Sequence, residues 1–120
     1  MTNILGLGKI GLYYLMGRRV TPADFGTEYD RVAPTYSAWL SRMSRHTDLI
    51  LNTNYLPDVD TPLRIIDLAC GTGYVTRELL HRIGPDRKLN ITCVDVSAGM
   101  LEQARISIDD CRVEFVHADG

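Results

Sequence analysis

The sequence has no uninterrupted apolar run of 18 or more residues, which excludes a membrane-spanning helix. It has little excess of either charge. Its 13 lysines and arginines face 15 aspartates and glutamates, for a net charge of -2, so no electrostatic footprint marks nucleic acid as a partner. The three cysteines, Cys70, Cys93 and Cys111, form no CxxC pair and are odd in number. His46, His81 and His117 are scattered, and none pairs with a cysteine at zinc spacing, so no metal site is expected. Two of the cysteines lie inside apolar runs, as buried free thiols do in a reducing compartment. The first residues lack the early cationic region and small-residue cleavage site of a secretory signal. The expected location is the cytoplasm.

What is there is a 45% hydrophobic chain of 120 residues, enough for one globular domain. Residues 1–20 are apolar and glycine-rich, and mixed local signals leave them unassigned. They include Gly6-Leu7-Gly8-Lys9-Ile10-Gly11, a formal GxGxxG preceded by Asn3-Ile4-Leu5. The strand before it is too short, and no second strand ending in an acid follows at about 20 residues, so a nicotinamide unit is not supported.

Residues 21–62 read as a helical lid or flank followed by a linker. Thr21 can cap, Pro22 suits the first helical position, and Asp24 complements the positive helix end. One apolar stripe runs Phe25, Tyr29, Val32 and is expected to stop at Pro34. A second helix is expected through Tyr36, Trp39, Leu40 and Met43, with Ile50 and Leu51 further on.

From residue 63 to 120 short strands alternate with helices. The expected order is strand Arg64–Ala69, helix Val75–Ile83 closed by Gly84-Pro85, strand Asn90–Asp95, helix Ala98–Ile108 and strand Val113–His117. That alternation predicts an α/β fold with a Rossmann-like parallel sheet of three strands in the order 3-2-1, with flanking N-terminal helices.

The chemistry concentrates where these strands end. Asp67-Leu68-Ala69-Cys70-Gly71-Thr72-Gly73 is an acid at the end of an apolar strand, then a glycine turn opening a helix. Gly71 and Gly73 permit positive φ and let the backbone lie close to a ligand, and the free N–H groups of the helix start would receive an anionic group. Twenty-two residues beyond Gly73, Asp95 ends the second strand, where a carboxylate can accept both hydroxyls of a ribose. Asp119 brings a third carboxylate to the same rim. Taken singly, Asp67 fits a pairing role, Asp95 a cap on the helix that follows, and Asp119 an ordinary strand end.

Together, Asp67-Leu-Ala-Cys-Gly-Thr-Gly, Asp95-Val-Ser-Ala-Gly-Met-Leu-Glu-Gln-Ala and Ala118-Asp119 resemble the first three motifs of class I S-adenosylmethionine-dependent methyltransferases. Tyr29-Asp30-Arg31-Val32-Ala33-Pro34-Thr35-Tyr36 is similar to the segment before the sheet in small-molecule members, including those of ubiquinone and menaquinone biosynthesis. The resemblance implies S-adenosylmethionine as cofactor and gives roles to residues present here. Asp67 would help hold its amino group, and the backbone of Ala69, Cys70, Gly71 and Gly73 would enclose its methionine moiety. Asp95 would bind the ribose hydroxyls. Met100 or Val96 would pack on the adenine, Ala118 would line the ring, and Asp119 would accept the exocyclic amine. Tyr29 and Tyr36 would close over the methionine end or face the acceptor. Cys70 belongs to the cofactor turn, with no histidine near in sequence to activate it as a nucleophile. Ala69 stands where many members have glycine, and an extended backbone is expected to accommodate it.

The resemblance also implies a seven-stranded sheet, of which this sequence accounts for three strands. Ile65, Ile66 and Leu68 would then border an unpaired edge, so the expectation is a homodimer, an aggregation-prone chain, or a sheet completed by a partner chain or by the rest of a longer product. The implied acceptor is a small molecule, and the acceptor atom and general base are not identified. The alternative is a non-catalytic fragment or subunit that binds cofactor or a partner.

Overall fold

The computed structural model describes residues 16–42, 51, 54 and 56–119. The GxGxxG segment, Met43, His46 and Ile50 lie outside the described residues, as does the side chain of Trp39. The elements are α1 (Pro22–Arg42), β1 (Leu63–Leu68), α2 (Tyr74–Ile83), β2 (Leu89–Asp95), α3 (Ala98–Ser107) and β3 (Val113–His117).

Helix α1 opens on a reciprocal cap. The Thr21 hydroxyl and backbone N–H both donate to the Asp24 carboxylate, at 2.8 and 3.0 Å, and Asp24 N–H donates back to the hydroxyl at 3.4 Å. The helix does not stop at Pro34. Phe25, Tyr29 and Val32 of the first expected stripe and Tyr36, Trp39 and Leu40 of the second belong to one 21-residue helix with the proline inside it, and Leu51 lies outside it. Proline there removes one helical hydrogen bond and crowds the preceding turn, at a local cost of about 3 kcal/mol. Packing of α1 against α3 offsets that cost, and Ala33, beside the proline, is buried.

The three strands are parallel, with β2 in the middle and β1 and β3 beside it, the expected order read from either edge. One face of the sheet carries the core, built on Ile91 and Cys93 of β2 with Leu79 of α2 and Leu101 of α3. Alternate β1 positions point to the other face, leaving Ile66 72% and Leu68 62% exposed, with Val116 of β3 also exposed. The expected exposed apolar border is therefore a face as well as an edge, and Ile65 packs inward against the core. Among the described residues β1 is an edge strand.

At the end of β1 the backbone departs from expectation. Ala69 has φ +58°, in the left-handed region and not the extended one. A Cβ in that region costs about 1–2 kcal/mol, while glycine there would add unfolded-state entropy worth about 0.4–1 kcal/mol. Ala69→Gly is expected to raise stability by about 0.5–1 kcal/mol, read as a higher denaturant midpoint at unchanged slope.

Candidate functional site

Parallel strands end together, so the C-terminal tips of β1, β2 and β3 place their loops on one rim. There a cleft of about 340 Å³ is lined by Tyr29, Tyr36, Leu68, Ala69, Gly71, Val94, Asp95, Val96, Met100, Ala118 and Asp119. Its size falls in the range of small-ligand sites, about 300–1,000 Å³. Nine of the twelve residues expected from the sequence line it. Asp67, Cys70 and Gly73 do not.

Asp95 organises the rim. One of its oxygens accepts from Gly71 N–H at 2.8 Å and the other from Ser97 N–H at 2.9 Å. The N-cap of the helix that follows is Ser97 and not Asp95, whose carboxylate instead ties the first loop to the second. The N–H of Gly71 is thereby engaged by this carboxylate. Each carboxylate oxygen can accept a second bond, so two acceptor positions remain for a pair of hydroxyls. Cys70 N–H to the Val94 carbonyl and Ala118 N–H to the Asp95 carbonyl, both 3.0 Å, close the rim on either side.

Asp67 lies beneath the first loop and accepts from the Thr76 hydroxyl at 2.6 Å. Burial pushes its carboxyl above the usual carboxylate range and nearby Asp95 adds to this, while the Thr76 bond works against them. A cation arriving beside it would favour the ionised form.

Gly73 serves packing. At φ +78° it starts α2, and a Cβ there would lie 2.5 Å from the Ile108 methyl and 3.3 Å from the Ala104 Cβ. Gly71, at φ +57°, is the glycine that faces the cleft, where a Cβ would meet only the Tyr36 ring at 3.9 Å. Cys70 is buried and its thiol is pushed far up by its hydrogen bond with Cys93, then by burial and the nearby carboxylates, which disqualifies it as a nucleophile.

Helix α1 supplies the roof. Tyr29 and Tyr36 meet edge to face, with centroids 6.2 Å apart and planes at 89°. Burial raises the Tyr36 hydroxyl above its ordinary value, as do Tyr29 and Asp95.

Several contributors escaped the sequence reading. Leu68 and Val94 line the cleft as strand residues. His117 Nε2 lies 2.8 Å from the Val96 carbonyl and fixes the second loop from the β3 side. The buried Thr72 hydroxyl has no partner among the described residues, and its place between two glycines of the turn was the available signal. Asp30 reaches the same loop from α1. Its carboxyl lies below the usual range through bonds from the Ser97 hydroxyl and Gly99 N–H. Among the described residues no cluster of His, Cys, Asp or Glu could hold a metal, and no helix is long and apolar enough to cross a membrane.

Residues 65–120 match the family model described as a methyltransferase domain. A malonyl-[acyl-carrier protein] O-methyltransferase of Acetivibrio thermocellus is 36% identical over 91 residues, covering 76% of this chain and 31% of that protein. A demethylmenaquinone methyltransferase of Symbiobacterium thermophilum is 34% identical over 83 residues, 64% of this chain and 31% of that one. The chain thus spans about a third of the length of these relatives. The crystal structure of the [4+2]-cyclase SpnF superposes with a TM-score of 0.61 at 23% identity, over 83% of this chain and 43% of that one, a likeness of fold alone.

Proposed function

We propose that this chain forms the S-adenosylmethionine-binding portion of an enzyme that methylates a small molecule, as the match of residues 65–120 to the methyltransferase domain model supports. One observation carries the reading. The cleft unites nine expected residues from α1, α3 and the tips of all three strands, is lined by the carboxylates Asp95 and Asp119, and among the described residues has no lysine or arginine in its lining. Such a wall repels phosphates and suits a cationic, hydroxyl-bearing ligand with an aromatic base.

The residues fit S-adenosylmethionine. Asp95 has two acceptor positions left for the ribose, Val96 and Met100 offer apolar surface for the adenine, and Asp119 an acceptor for its amine. Asp67 beneath the loop favours an ammonium group near the methionine end. The cofactor supplies a sulfonium-bound methyl group, open to in-line attack. The chain's own contribution is to bind, orient and exclude water, with Tyr29 and Tyr36 covering the cleft.

The relatives differ in the acceptors their names state, so the reading goes no further than a small-molecule acceptor. The free cysteines, two of them buried, support a cytoplasmic setting. Exposed Ile66, Leu68 and Val116 support the reading that the working protein covers this face, with further chain or a second copy.

Calorimetric titration of the 120-residue chain tests the core claim. Saturable binding of S-adenosylmethionine and S-adenosylhomocysteine is expected, with none of NAD or ATP. Ligand at 100 times Kd should stabilise the fold by about 2.7 kcal/mol. A folded chain that binds neither sulfur compound, or prefers a phosphate-bearing one, refutes the proposal.

A further inference from the structure

The roof of the cleft is held by a residue that touches none of it. Asp30 follows Tyr29 on α1, and one oxygen of its carboxylate accepts both the Ser97 hydroxyl at 2.6 Å and the Gly99 N–H at 2.7 Å. Ser97 is itself the N-cap of α3, accepting from Met100 N–H at 3.0 Å, and its own N–H is held by Asp95. Through Ser97 the carboxylate on α1 and the carboxylate at the ribose position grip the same loop. A negative group there also complements the positive end of α3.

Two glycines make the grip close. A Cβ on Gly26, one turn before Asp30, would lie 2.8 Å from the Val96 carbonyl oxygen, and a Cβ on Gly99 would lie 3.0 Å from the Asp30 Cα. Backbone therefore meets backbone at both points. Tyr29 is 42% exposed. Their height above Gly71 and Asp95 follows from where α1 is pinned.

We infer that Asp30 is a positioning residue for the cofactor cleft: by fastening α1 to the Asp95–Gly99 loop it holds Tyr29 and Tyr36 across the bound ligand. The inference rests on the reading that the cleft takes S-adenosylmethionine.

The test is S-adenosylhomocysteine titration of the full chain and its variants, each first checked for a cooperative melt. Asp30→Ala should weaken binding about tenfold, the equivalent of one lost anchoring interaction. Asp30→Asn keeps an oxygen able to accept both bonds and should stay within about threefold of wild type. In a Tyr29→Ala, Tyr36→Ala background Asp30→Ala should cost less than about twofold more, because no ring remains to be positioned. A purely structural residue would cost the same in both backgrounds. Gly26→Ala, which lifts α1 from the loop without altering the carboxylate itself, should show the same loss and the same dependence on the tyrosines. It carries the test if Asp30→Ala does not fold. Wild-type affinity in both Asp30→Ala and Gly26→Ala, equal losses in both backgrounds, or an Asp30→Asn as weak as the alanine variant would overturn the assignment. A wild-type chain that does not bind overturns the cofactor reading and the Asp30 assignment with it.

Discussion

Replacing Asp95 with alanine is expected to weaken S-adenosylhomocysteine binding by about 100-fold or more, since two hydrogen bonds from ligand hydroxyls to a charged acceptor are worth about 1.5–3 kcal/mol each. The same change removes the acceptors of Gly71 N–H and Ser97 N–H, so the unliganded chain should also lose about 2 kcal/mol of stability. Asparagine is not a benign substitute. Its NH2 group would have to face one of those two N–H donors, placing donor against donor. Asp95→Asn should therefore fall between wild type and alanine in both measurements. Calorimetry for affinity and denaturant titration for stability separate the two losses. An Asp95→Ala that is less stable yet binds with unchanged affinity would assign Asp95 to the loop alone.

The second large effect divides the two glycines of the first turn. Gly73→Ala combines a left-handed backbone, about 1–2 kcal/mol, with a Cβ driven into Ile108 and Ala104, about 1–3 kcal/mol. A total of about 2–5 kcal/mol is a large share of the stability of a small domain. Ligand affinity measured on the fraction still folded should change little. Gly71→Ala pays only the backbone cost, because its Cβ projects toward open cleft. There the methyl group occupies ligand space, so affinity should fall by at least about tenfold. Thermal melts with and without S-adenosylhomocysteine read both quantities. Equal stability losses at the two positions would refute the division.

The sheet was legible because its strands are short apolar runs bounded by strong punctuation. Gly84-Pro85 closes α2, Ser97 caps α3, and β3 begins and ends as expected. The cleft was legible for the same reason, since strand tips in a parallel sheet converge, and a residue at a tip needs no long-range information to be placed. The misses have the opposite character. Pro34 reads as a stop in any local window, and only the packing of α1 on α3 shows why the helix continues. Gly73 and Gly71 look equivalent in sequence, and what distinguishes them is Ile108, 35 positions later. Ala69 carries no sequence mark of positive φ. Asp30 could be read as a surface residue of an amphipathic helix until its partners, 67 and 69 residues away, are known.

Those separations bear on the order in which the molecule assembles. The contact between Gly71 and Asp95 closes a segment of 24 residues, and that between Asp30 and Gly99 one of 69. By loop length alone the second closure is costlier by about 0.9 kcal/mol. It also needs α3 and its N-terminal turn as a surface to close upon. Hydrogen exchange should accordingly find the amides of β2 opening with the whole fold, and those of α1 at a lower free energy. The floor of the cleft would then form early and its roof last, so that the roof can lift to exchange ligand while the sheet beneath stays folded.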